Sequence, residues 1–262
     1  MSKKKEIGTC RLCQKTKKLT FEHVPPKCAF NDDKVKMVNL KTMLENGTYS
    51  SVSDLDKQYG KILQQGRGGY FLCADCNSKT GQWYASEYNQ FIKGVAYVLS
   101  EIKDSPVECV HINFKKTNPL ALFKEALTMF CDINEGLSAD DNIKKYLLDK
   151  ESTEFNTEKY RIYIHIHRGK MFRQNGFSIM VRTDGTVINL SEITAFPIGL
   201  TLYKELPVGY KPKGVDITGF AKCDYNKEYD LNIDIPILES NSIFSGDYRT
   251  EEEIEEQAKK NS

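Results

Sequence analysis

Eight cysteines occur in this chain, at positions 10, 13, 28, 73, 76, 109, 131 and 223, and four of them form two close pairs. The pairs are Cys10-Arg-Leu-Cys13 and Cys73-Ala-Asp-Cys76, with 59 residues between them. A Cys-x-x-Cys turn presents two thiolates to one ion, and two such turns complete a tetrahedral sulfur shell with no open position. The expected ion is a structural zinc, whose binding energy is folding energy. Disulfides or redox thiols would use the same residue type. Two paired turns in a basic segment poor in long apolar runs favour metal over either. Cys28, Cys109, Cys131 and Cys223 are scattered and are expected as buried apolar residues.

Between and just after these turns stand three more residues suited to one reaction. Glu22 and His23 precede Pro25-Pro26, and Asn77 directly follows Cys76. A hard divalent cation such as Mg²⁺ or Mn²⁺ takes oxygen ligands and keeps several waters. The Glu22 carboxylate and the Asn77 carbonyl are two such ligands, and a neutral imidazole at His23 can take a proton from an attacking water. Neighbouring strand residues point to opposite sides, so Glu22 and His23 require a bend to serve one site. Read alone, Asn77 is a helix N-terminal residue that could cap backbone donors.

The ordered set Cys-x-x-Cys, Glu-His-x-Pro-Pro, Gly68-Gly69 and Leu-Cys-x-x-Cys-Asn resembles the zinc-containing HNH endonucleases, also called His-Me finger or ββα-metal nucleases, in their Glu-His subgroup. The likeness covers about residues 8–82 and leaves residues 105–262 without an account. It implies hydrolysis of phosphodiester bonds, with DNA as substrate, His23 as general base, and Glu22 and Asn77 holding the catalytic cation. Glu stands at 22 where many members carry Asp, and the extra methylene changes reach to the ion. Asn39, in Val38-Asn39-Leu40, matches the family's middle Asn, which braces the catalytic loop; a turn or strand-end role is the plainer reading. Arg67, in a Gly66-Arg67-Gly68-Gly69 loop, and Lys79 are candidates for phosphate contact.

The elements that must position these residues are legible in outline. Tyr84, Tyr88, Phe91, Val95, Val98 and Ile102 recur at steps of four and three, one apolar stripe of a helix ended by Asp104-Ser-Pro106. Residues 107–114 read as a strand, 118–132 as a helix begun by Asn118-Pro119, and 141–150 as another helix. Strands are then expected at 161–167, 177–182, 186–190, 196–203, 215–223 and 229–238, with an Asp184-Gly185 hairpin turn. Tyr163, His165 and His167 share one strand face, expected to be half exposed; a second metal or nucleic-acid site there is the minor alternative. Trp83 and Tyr84 could stack on a base, but the stripe places Tyr84 in a core. The fold class expected is α+β: a zinc-stapled, treble-clef-like ββα-metal module with a trailing helix (1–104), a helical and antiparallel-sheet region of unassigned role (105–245) and a charged mobile tail (246–262).

The chain's net charge is +1 over 262 residues. Residues 1–90 hold 15 Lys and Arg against 9 Asp and Glu, and the remainder holds 22 against 27. A basic first third beside an acidic remainder suits contact with a phosphate backbone through that third alone. No run of about 18 apolar residues is present, so no membrane partner is expected. The basic start lacks an apolar segment after it, so the expected compartment is the cytoplasm. The sequence leaves oligomeric state open, a homodimer included. The rival reading from another class is a non-catalytic zinc finger that binds nucleic acid or protein. Glu22 and Asn77 separate the two, because a binding module needs no hard-cation site.

Overall fold

The computed structural model describes residues 6–38, 59–103, 106–182, 184–238 and 241–260. The first turn of Cys residues lies between β1 (Ile7–Thr9) and β2 (Thr16–His23), which pair antiparallel. A short 3-10 turn (Lys27–Ala29) follows, then the small ribbon of β3 (Val35–Val38) and β4 (Gly60–Leu63). β5 (Gly68–Cys73) returns antiparallel to β2, giving the sheet order β1-β2-β5. Its last residue begins the second Cys turn, which is the first turn of α1 (Ala74–Thr80). A π-helical turn (Gly81–Ala85) joins α1 to α2 (Ser86–Glu101). The stripe read from the sequence is buried as expected at Tyr84, Tyr88, Phe91 and Val95, while Val98 and Ile102 are partly buried against the same core.

Beyond α2 come β6 (Cys109–Thr117), α3 (Pro119–Ile133), the one-turn α4 (Glu135–Ser138) and α5 (Asp141–Leu148). Asn118 caps α3 by accepting from the Ala121 N–H at 3.0 Å, and Pro119 occupies its first turn, where a missing N–H costs nothing. Fourteen of its residues, Pro119 through Asp132, are buried, so α3 is the central helix of the molecule rather than a one-faced surface helix. Its Lys124 is accommodated by donating to the Asp149 and Lys150 carbonyls at 2.6 and 3.2 Å, with the Tyr146 ring 4.2 Å away.

A five-stranded antiparallel sheet in the order β11-β7-β10-β9-β8 completes the core, built from β7 (Tyr160–Ile166), β8 (Arg173–Val181), β9 (Val187–Ala195), β10 (Ile198–Lys204) and β11 (Val215–Asp216). β12 (Tyr229–Pro236) pairs with β6 as a separate ribbon, and α6 (Glu251–Lys260) follows. The fold is therefore α+β. One apolar cluster runs from Cys10, Leu12 and Leu72 through α2 and α3 to Ile162, Leu200 and Ile235. Among the described residues no helix is long and apolar enough to cross a membrane.

Four expectations need correction. The run 215–223 is not one strand: the Asp216 carboxylate accepts from the Thr218 N–H at 2.8 Å and turns the chain into a 3-10 helix (Thr218–Lys222). The face of Tyr163, His165 and His167 is buried, with both histidines 1% exposed. Residues 242–248 cover it: Arg173 donates to the carbonyls of Ser242, Phe244 and Asp247, and the Tyr248 ring lies 4.8 Å from His165. The start of the stretch expected as a mobile tail is thus docked, since Gly246 N–H donates to Glu192 at 2.8 Å and Tyr248 is buried. Cys28 and Cys109 are exposed rather than buried. Cys109 falls on the outward phase of β6, whose inward phase is Val110 and Ile112.

Candidate functional site

The four paired cysteines converge. Their sulfur atoms all lie within 4.8 Å of one another, and Cys13 and Cys73 are 3.9 Å apart. Tetrahedral ligands at zinc–sulfur bond length would sit about 3.8 Å apart, so the set fits a structural metal such as zinc. Cys10, Cys73 and Cys76 are buried, which shields such an ion from exchange. The cluster ties the β1–β2 turn to the start of α1, and Asn77 follows its last sulfur directly.

Glu22, His23 and Asn77 line one cavity of about 170 Å³. Glu22 and His23 line it from opposite sides of β2, so the cavity lies at the end of that strand and not on one of its faces. The β2–β5 ladder shifts register between Thr20 and Phe21, and β2 ends at His23. Thr20 and Glu22 share one side of the strand: the Thr20 hydroxyl lies 2.6 Å from Glu22 Oε1. Phe21 and His23 share the other, with ring centroids 5.1 Å apart. Gly68 makes the close approach of β5 to β2 possible, because a Cβ there would meet the Glu22 carbonyl at 2.0 Å. Gly68 and Gly69 are thus strand residues opposite His23 and Glu22, while the preceding Gly66 adopts the left-handed conformation at φ +80°.

His23 Nε2 lies 2.8 Å from the Gln65 carbonyl. A carbonyl only accepts, so this nitrogen donates, and in the neutral ring Nδ1 then holds the lone pair. Asn77 Nδ2 donates to the Thr20 hydroxyl at 3.3 Å, and its carbonyl oxygen has no hydrogen bond among the described residues. Asn77 therefore does not cap its helix; it faces the cavity. The loop after β2 is held by Asn31, which is buried and donates to the carbonyls of Pro25 and Arg67 at 2.6 and 2.7 Å while accepting from the Arg67 N–H at 2.7 Å. Asn39 lies outside the described residues. Sequence reading missed Asn31, for which an Asn soon after a Pro-Pro bend was the signal.

Arg67 and Lys79 are not among the residues lining the cavity. Arg67 is half-buried and donates to Gln174 Oε1 at 2.5 Å and to Met37 Sδ at 2.7 Å. Lys79 is exposed in the last turn of α1. Lys27 does line the cavity.

No protein-family model, curated protein or solved structure matched the chain.

The far wall of the cavity is α3. Glu125, Thr128, Met129 and Asp132, spaced three, one and three along that helix, all line it. Neither acid was singled out from the sequence, although two carboxylates inside a mainly apolar helix are the available signal. Burial pushes the Glu22 carboxyl up to about 7. Burial and then the charge of Glu22 push Glu125 up to about 8. Burial, followed by Glu22 and Glu125, raises Asp132 well above the usual carboxylate range. Carboxyls packed this way hold protons unless a cation compensates them.

Proposed function

We propose that this protein is a metal-dependent endonuclease of the HNH type that hydrolyses phosphodiester bonds of nucleic acid. DNA is its proposed substrate, as in the family the motif resembles. One observation carries the reading: His23, whose Nε2 lies 2.8 Å from the Gln65 carbonyl, lines the same cavity as Glu22 and Asn77, and in the neutral ring that contact leaves the lone pair on Nδ1. An imidazole oriented by a carbonyl is a poised general base.

In the proposed reaction a water oxygen bonds to phosphorus as the bond to the 3′-oxygen breaks. The water's proton passes to His23 Nδ1, and solvent protonates the departing 3′-oxygen. Glu22 and Asn77 would hold a divalent cation, which when bound neutralises charge on the phosphoryl and departing oxygens. Thr20 orients Glu22 and Asn77, Asn31 holds the His23 loop, and the sulfur cluster, proposed to hold zinc, anchors Asn77. Glu22 and His23 come from β2, which pairs with β5, and Asn77 comes from α1, in keeping with a ββα-metal module.

The surroundings suit nucleic acid. Phe21 and Tyr70 are about half exposed beside His23, with ring centroids 5.5 Å apart, and offer faces to bases. Lys27 at the cavity and exposed Lys79 are placed to meet phosphates. Arg67, already engaged with Gln174 and Met37, is better suited to positioning the strand.

The test is cleavage of plasmid DNA and of RNA with Mg²⁺ or Mn²⁺, comparing the wild type with His23→Ala. Loss of a general base should slow cleavage by roughly 10²- to 10⁴-fold. Undiminished cleavage would remove His23 as the base. Absence of cleavage by folded, zinc-loaded protein would leave a non-catalytic binding module.

A further inference from the structure

The cation centre just proposed uses ligands from the first 80 residues only, yet four of the fourteen residues lining its cavity belong to α3. Glu125 and Asp132 are 7% and 4% exposed, and both line the cavity with Glu22. Among the described residues Asp132 Oδ1 has no hydrogen-bond partner, and no hydrogen bond or ion pair engages the Glu125 carboxylate. Nearby polar groups on α3 do find partners: Thr128 donates to the Lys124 carbonyl at 2.8 Å, and Asn134 donates to the Phe130 carbonyl at 2.9 Å. A buried carboxylate without a donor is costly unless something positive meets it. Lys124 points away, to the Asp149 and Lys150 carbonyls, and Lys27, which lines the cavity from the β2 side, forms no ion pair with either acid among the described residues.

We infer that α3 completes the cation site: Glu125 and Asp132 face Glu22 across the cavity and, together with it, bind a hydrated divalent cation of the Mg²⁺ or Mn²⁺ class. The inference rests on the nuclease reading for the identity of the site and adds the ligands that the region after residue 105 contributes. Only the four cysteines gather ligand atoms within 4.8 Å of one another among the described residues. The carboxylates are more widely set, which suits an ion that keeps part of its water shell and meets some carboxylates through water. All three are oxygen donors, so a thiophilic ion is not expected here. A consequence for the whole chain is that the N-terminal module and the region behind it form one functional unit.

Mn²⁺ binding to the zinc-loaded full chain, followed by calorimetry and by the electron paramagnetic resonance of free Mn²⁺, tests this. The proteins are the wild type, Glu125→Gln, Asp132→Asn, the double variant and His23→Ala. The double variant is expected to bind Mn²⁺ at least tenfold more weakly and to lose the rise in melting temperature that Mn²⁺ gives the wild type. Without Mn²⁺ it should melt no lower than the wild type, because each amide is isosteric and removes a buried acid. His23→Ala should keep Mn²⁺ affinity while losing cleavage. Wild-type Mn²⁺ affinity in the folded double variant would overturn the role of α3 and leave the nuclease reading standing. A wild type that binds no Mn²⁺ would overturn it too, and the plasmid assay then decides the nuclease reading separately.

Discussion

Thr20 and Glu22 are joined by a 2.6 Å contact between hydroxyl and carboxylate on one side of β2. The same hydroxyl lies 2.9 Å from the Leu72 carbonyl and accepts from Asn77 Nδ2. One short side chain therefore links strand, neighbouring strand and helix, and sets the direction of both proposed cation ligands. Thr20→Val keeps the shape and removes these bonds. A hydrogen bond to a charged group contributes about 1.5–3 kcal/mol, so cleavage is expected to fall roughly 10- to 100-fold with zinc content unchanged. Steady-state kinetics and metal analysis check this; unaltered kinetics would show that Glu22 and Asn77 need no such link.

Cys73→Ser opens the sulfur cluster. Residues 6–38 and 59–80 hold little apolar material of their own beyond Leu12, Leu19, Val24, Ala29 and Leu72, so the module depends on its staple. The variant is expected to lose one equivalent of zinc and to become sensitive to limited proteolysis before α2. Full zinc content and unchanged protection would count against a structural clamp.

Asn31→Ala removes three hydrogen bonds that lock the loop after β2 to the segment before β5. The carbonyls and N–H left behind are in a buried place, so a loss of about 2–3 kcal/mol in stability is expected. If Asn31 positions His23, kcat falls while Mn²⁺ affinity holds, and the loss in kcat exceeds any in KM. Equal effects on both, or none on kcat, would assign Asn31 to stability alone.

His167 provides a pH signature remote from the cavity. It is buried, its Nε2 donates to the Met171 carbonyl at 2.9 Å, and Nδ1 has no partner. Burial, outweighing that bond, lowers it to about 4, with a further push from the Arg173 charge. Between pH 6.5 and about 4 the unfolded chain takes up a proton that the folded chain refuses, so stability is lost as pH falls through that window. The size is on the order of 3 kcal/mol. Glu22 and Glu125, with raised values, act with the opposite sign. The readout is therefore the difference in urea midpoint between the wild type and His167→Gln, which should move in favour of the variant as pH is lowered from 7 to 4. A pH-independent difference would mean that His167 titrates in the fold as it does in the unfolded chain.

Arg173 and Glu192 form a buried ion pair at 2.6 Å, 2% and 0% exposed, which also binds residues 242–247 to the sheet. Glu192→Ala removes the carboxylate that neutralises a buried guanidinium, and a loss of about 3–5 kcal/mol is expected in chemical denaturation. A loss below about 1 kcal/mol would show that the carbonyls of 242–247 suffice to hold Arg173.

What the sequence determined by itself was local. The spacing of Cys10, Cys13, Cys73 and Cys76 points to one four-sulfur site that could hold a metal such as zinc, because each two-residue turn brings its own pair of thiols together. The step pattern of Tyr84 to Val95 and the Asn118-Pro119 start likewise dictate their helices, since cap and periodicity act within a few residues. Tertiary structure alone decided which side of each strand is covered and what meets across a cavity. His165 and His167 looked half exposed because the residues that bury them, 242–248, sit far along the chain and carry no periodic signal. Glu125 and Asp132 looked like ordinary helix charges until packing placed them opposite Glu22. Such long-range meetings depend on the sum of many weak apolar contacts, which no short stretch of sequence encodes.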